Sequence, residues 1–272
     1  NCRLSSASSA IKFCDGNMNA IRKVTIENCV ISDSNRGLSF MVFDGGVVED
    51  VVISNLVIET RRHDWFWWGD GEPIHFNIKK RSEVHRTWKK EDDRPAGKIR
   101  RVLIKNIMAR GQGSSQITGH PESWLEDVTI ENLRLAISHN PGSLYDKAVN
   151  ALEIKLARNF TLRKVEVIWE GPVYERWQNA VYAENVQELE VDGLKTRQAR
   201  EGDLNSAALV LNQVERAIIR HCQAAPGTGL FLKLLGNKSG DIFLGGNELS
   251  QALKPVEIGA GARVKRLKKI EK

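Results

Sequence analysis

Residues 24–31 read VTIENCVI, and the phrase returns as VVISNLVI at 51–58, VLIKNIMA at 102–109 and VTIENLRL at 128–135. Each copy places an asparagine after alternating apolar residues, at Asn28, Asn55, Asn106 and Asn132. With Asn1, the first three asparagines fall 27 residues apart. A repeat of roughly 20–50 residues is the mark of stacked supersecondary units, none of which can bury its apolar face alone. The alternation Val24, Ile26 and Val51, Ile53 is the period of a half-buried strand.

A second strand falls in the other half of each unit: 9–13 (SAIKF), 37–42 (GLSFMV), 72–78 (EPIHFNI), 114–118 (SSQIT), 150–156 (NALEIKL), 179–184 (NAVYAE), 207–212 (AALVLN) and 229–235 (GLFLKLL). Short strands with no helical stripe between them argue against leucine-rich and ankyrin repeats. They predict an all-β chain, a single right-handed parallel β-helix spanning residues 1–272. Asparagine tolerates the left-handed backbone of a tight turn, and its amide can bond the matching amide of the next coil. The four asparagines are therefore expected to form an internal ladder, which ends where the position becomes Lys164, Gly193 and His221. Cys2 and Cys29 share the same step and should stack about 4.8 Å apart, as a thiol ladder in preference to a disulfide. Because Asn1 already occupies the repeat position, the chain is expected to start inside a coil and to lack N-terminal coils.

Asn55 and Asn106 are 51 residues apart, one coil plus a long excursion. The excursion, residues 61–98, holds an aromatic run (Trp65, Phe66, Trp67, Trp68) and then a charged loop from Lys79. Long loops on a regular scaffold tend to carry binding residues. Indole faces pack on sugar rings, so one of Trp67 and Trp68 is expected to plug the loop and the other to line a cleft. Alternation sends Ile74, Phe76 and Ile78 to the core and turns His75 and Asn77 outward. Pro73 disturbs the strand start and frees Glu72 to turn outward too, so that Glu72 and His75, with Asp70 beside them, could serve as acid and base. The plainer reading has Glu72 strapping the loop through Arg61 or Arg62 while His75 is solvated.

The formal net charge of +6 suits an anionic polymer, but much of the basic excess lies in 79–101 and 263–272, where a solvated face accounts for it. No nucleic-acid-binding motif is present. No run reaches the roughly 18 apolar residues of a membrane helix. Neither metal-ligand spacing nor a phosphate-binding glycine loop occurs, so no cofactor is expected.

The stretches SSAIKFCDGNMNAIRKVTIENCVISDSNRGLSF (8–40) and GGVVEDVVISNLVIETRRHDWFWWGDGEPIHF (45–76) resemble glycoside hydrolase family 28, the polygalacturonase-like β-helices. The likeness covers about residues 1–135 and rests on a WWG-x-GEP segment after a coil with an asparagine-arginine-glycine turn. It implies inverting hydrolysis beside a uronic acid in a pectin-type polysaccharide, by two carboxyl groups acting from opposite faces. It also implies a secreted or periplasmic location. The family carries its aspartates in NTD and DD segments on coils before the one at 9–13. Neither occurs here, so the main catalytic aspartates are expected upstream of Asn1. The family's glycine-histidine-glycine motif aligns with Ser8, Ser9 and Ala10. Its carboxylate-gripping arginine-isoleucine-lysine motif aligns with Ser39, Phe40 and Met41. On the cleft face that the resemblance implies, Lys12, Asp15, Arg36, Trp67 and Trp68 are candidates for substrate contact. Two other readings remain open: an inert carbohydrate-binding or structural solenoid, and a lyase, which would need a basic residue as base and often calcium, for which no acidic cluster is evident.

Overall fold

A computed structural model describes residues 1–13, 16–65, 69–140, 142 and 147–270, the side chains of 269 and 270 excepted. Among these residues the secondary structure is parallel strands with two short 3-10 turns, Arg81–Glu83 and Lys90–Asp92. No helix of the described residues is long and apolar enough to cross a membrane. The strands wind into a parallel β-helix, as the repeat predicts.

One wall stacks Ser9–Phe13, Arg36–Val42, Glu72–Ile78, Ser115–Thr118 and the start of Leu152–Glu170. It continues through Val181–Asp192, Ala207–Val214, Leu230–Leu235 and Lys254–Ile258. Every strand expected from the second half of the repeat lies in this wall. The asparagine phrases form the other side, where Ala20–Ser34, Val47–Thr60, Lys98–Gly111 and Leu125–Ser138 pair in turn. The excursion at 61–97 leaves this stack undisturbed, since Val51 pairs directly with Val102.

The repeat phrase is explained by its corners. In VTIEN-type phrases, alternation carries two apolar residues inward, as with Val51 and Ile53, and then a left-handed residue turns the ribbon so that Leu56 also points inward. Asn28, Asn55, Asn106 and Asn132 hold φ of 58°, 59°, 57° and 53°. Their amides bond from coil to coil: Asn55 Nδ2 donates to Asn28 Oδ1 (3.1 Å), Asn106 to Asn55 (2.9 Å) and Asn132 to Asn106 (2.9 Å). The ladder is exposed, contrary to the internal position expected, because the left-handed corner swings its side chain away from the core. A second corner, which the sequence pattern does not announce, precedes the first by five residues at Lys23, Asp50, Arg101 and Asp127. Lys164, Gly193 and His221 keep the positive φ after the asparagines end.

Inside, like residues stack on like. Phe13, Phe40 and Phe76 form a column with ring centroids 4.3 and 4.1 Å apart. Ile26, Ile53, Ile104 and Ile130 form another by strand register. Such interdigitated apolar burial is the main driving force of the fold, since the described cysteines form no disulfide. Cys2 and Cys29 do lie in register, both free, but Cys2 is exposed, so the thiol pair is not a buried ladder. Outside, cross-coil ion pairs tie neighbours together, among them Arg100 and Arg101 to Glu49 (2.8 and 2.7 Å) and Arg220 to Glu190 (2.7 Å). Basic residues assigned to a solvated face are thus partly matched by acids one coil away.

Candidate functional site

Pro73 lies inside the strand Glu72–Ile78, between two glycines of the coils above and below. A Cβ on Gly37 would come within 2.5 Å of the Pro73 carbonyl oxygen, and one on Gly111 within 2.6 Å of its ring. The glycines make room for a proline at the strand start, where the chain has not yet settled into alternation. Glu72 consequently shares a side with His75 although the two are three residues apart. Beyond it Ile74, Phe76 and Ile78 are fully buried inward, as alternation requires.

Glu72 is 3% exposed and Arg36 8%. The Arg36 Nε and Nη2 both donate to Glu72 Oε1, at 3.2 and 3.1 Å, and the Asp70 amide donates to Oε2 at 2.6 Å. The loop strap is therefore real, but its partner is Arg36 from the preceding coil. Arg61 pairs instead with Asp33, and Arg62 lies 3.9 Å from Asp70. A carboxylate held by a guanidinium and an amide is fixed in place.

His75 is buried at 4% exposure, where a solvated residue was expected. It is covered because its strand neighbours Ser39 and Gln116 flank it in register and Glu72 with Arg36 closes one end. Its Nδ1 lies 3.7 Å from Glu72 Oε1 and has no hydrogen-bond partner among the described residues. Burial, and then the positive charges of Arg36 and Lys79, push its pKa well below the usual 6.5. The imidazole is thus neutral at neutral pH, with an unused nitrogen beside a fixed carboxylate. Perturbed titratable groups in a cleft are a common mark of functional sites.

These groups line a cleft of about 450 Å3, together with Met41, Phe43, Asp70, Asn77, Lys79, Val84, His85 and Gln116. That volume is in the range of small-molecule sites, roughly 300–1,000 Å3. One rim comes from the loop after Ile78, which is anchored to the coils on both sides. Arg81 pairs with Asp44 (Nε to Oδ1 3.0 Å), Lys80 with Glu122 (2.6 Å), and Glu83 with His120 (3.2 Å).

Of the residues singled out from sequence, Arg36, Asp70, Glu72 and His75 meet in this cleft. Lys12 is exposed on the same wall, in register with Ser39, and does not line it. Asp15, Trp67 and Trp68 lie outside the described residues. Trp65, at the start of that run, is 75% exposed. Lys79 and His85 were missed because no periodicity marks a residue in an irregular loop. Gln116 was legible: its neighbours Ser115 and Ile117 point inward, so it must sit outward beside His75.

No protein-family model matches this chain. No curated protein matches it either. Among solved structures it is similar to the A-module of the mannuronan C-5 epimerase AlgE4 of Azotobacter vinelandii. The likeness has a TM-score of 0.36 at 11% identity, over 96% of this chain and 83% of that one.

Proposed function

We propose that this β-helix acts on an acidic saccharide of the pectin type, bound in the cleft beside His75, by acid–base chemistry in the manner of a polygalacturonase-like hydrolase. The observation that carries the reading is the buried, neutral His75, whose Nδ1 has no partner and faces Glu72 at 3.7 Å. When a ligand closes the cleft, Nδ1–H can donate to Glu72, which leaves Nε2 to accept a proton from a water whose oxygen bonds the anomeric carbon, while the glycosidic C–O bond breaks and the leaving oxygen takes its proton from solvent. Glu72, tied to Arg36, orients the ring and stabilises the imidazolium that forms. The amides of Asn77 and Gln116 offer donors and acceptors to sugar hydroxyls along the same wall.

A second reading, binding without turnover, draws on the same carboxylates. Glu72 is held by Arg36, and Asp70 Oδ1 lies 3.3 Å from Lys147, so both are engaged with cations of the protein and neither is turned to a leaving oxygen. Release of reducing ends from polygalacturonate separates the two. The catalytic reading predicts release that falls about 100-fold or more in His75→Ala. Saccharide binding with no release by the wild-type chain would leave only the binding reading standing.

A further inference from the structure

The charges of the cleft do not cancel within the protein. Arg36 is matched by Glu72 at 3.1 Å, and Asp70 by Lys147 at 3.3 Å. Lys79 remains. Its side chain lines the cleft, close enough to His75 to depress that ring's pKa, and it forms no ion pair among the described residues. Glu83 of the same loop senses the Lys79 charge, but its carboxylate is bonded elsewhere, accepting from the Lys80 amide at 2.9 Å and meeting His120 at 3.2 Å. Ser39 and Met41, on the strand before His75, bring no charge.

Beside Lys79, the exposed His85 stands 3.0 Å from Arg81 with its Nε2 facing Nη1. A guanidinium nitrogen can only donate, so Nε2 accepts and a ring N–H lies on Nδ1. The rim therefore offers an ammonium that forms no ion pair among the described residues and an N–H donor, and the opposite wall offers uncharged amides. That set is complementary to one carboxylate on an otherwise hydroxylated ligand.

We infer that Lys79, assisted by His85, is the residue that reads the carboxylate of the sugar, and so sets the preference of this cleft for a uronate over its neutral ester. The inference rests on the saccharide reading above. It assigns the charge recognition to the irregular loop after Ile78, outside the repeating strands, so that the loop which forms one rim of the cleft also selects what enters it.

Calorimetric titration of the full chain with trigalacturonate and with its fully methyl-esterified form tests this. The wild type should prefer the acid by about ten- to a hundredfold, the worth of one desolvated charge-assisted contact. Lys79→Met should bind the ester as the wild type does and lose most of that preference, and Lys79→Arg should keep most of it. Lys79 is half-exposed, so neither variant threatens the fold. A Lys79→Met chain that still prefers the acid as the wild type does would overturn the inference and leave the saccharide reading intact. A wild type that binds neither form would overturn both.

Discussion

At Asn55 the backbone holds φ 59°, and the side chain both donates to Asn28 and accepts from Asn106. Two effects are superimposed there, a conformational preference and a pair of amide bonds, and two substitutions separate them. Alanine loses both: a non-glycine residue in the left-handed region costs about 1–2 kcal/mol, and exposed amide bonds add a fraction of a kcal/mol each. Glycine keeps the corner and loses only the amides. Urea denaturation should show Asn55→Ala destabilised by about 2 kcal/mol and Asn55→Gly by about half that or less. Equal losses would mean the corner conformation contributes nothing. His75 poses a different residue-scale question, in pH. Its folded pKa is pushed well below 6.5 by burial, then by Arg36 and Lys79. Below that value the unfolded chain takes up a proton that the folded chain refuses, so stability is lost as pH falls from 6.5 and is untouched above it. Carboxylates with lowered pKa, such as Glu83 and Asp93, start from 4.5 and 3.8, and the stability they add is lost only at lower pH. The melting temperature of the wild type should therefore drop relative to His75→Gln between about pH 6.5 and 5, with no divergence at pH 7 and above. Parallel curves throughout would contradict a buried neutral His75.

The elements show where sequence reading succeeds and where it stops. Strands such as Val47–Thr60 and Glu72–Ile78 were legible because burial imposes a period of two on them, and Asn55 fixed the phase between coils. Their inward residues, Val51, Ile53, Leu56, Ile74 and Phe76, are all buried as the phase demands. The partner of Glu72 was not legible. Arg36 lies one coil back at the matching register position, and nothing local distinguishes it from Arg61 or Arg62, which are nearer along the chain. The burial of His75 was hidden for the same reason, since alternation says which way a side chain points and leaves open what covers it. The loop after Ile78 was opaque altogether: its two 3-10 turns and its anchors to Asp44, Glu122 and His120 depend on residues some 37–42 positions away. Those anchors make it a strap held at several points. Asp44→Asn removes the charge that holds Arg81 and should raise amide exchange several-fold across residues 79–93, leaving the strand Glu72–Ile78 protected. Unchanged exchange in the loop would show that the remaining anchors suffice.

At the scale of the molecule, each coil contacts its neighbours alone, so a local site is built from a few adjacent turns of a long scaffold. The cleft draws Arg36 and Met41 from one coil, Asp70, Glu72, His75 and the strap from the next, and Gln116 from the one after. Three consecutive turns thus supply a fixed carboxylate, a neutral imidazole, an ammonium that forms no ion pair among the described residues, and amides, and the rest of the β-helix holds them in register. The central claim is that this cleft takes up an acidic saccharide at His75. It is tested most directly by following the His75 ring resonances by NMR, in a chain with labelled histidine, during titration with trigalacturonate. The account predicts a saturable shift of the His75 signals that Lys79→Met weakens. His75 signals unmoved at ligand concentrations that saturate binding elsewhere on the molecule, or no binding at all, would contradict it.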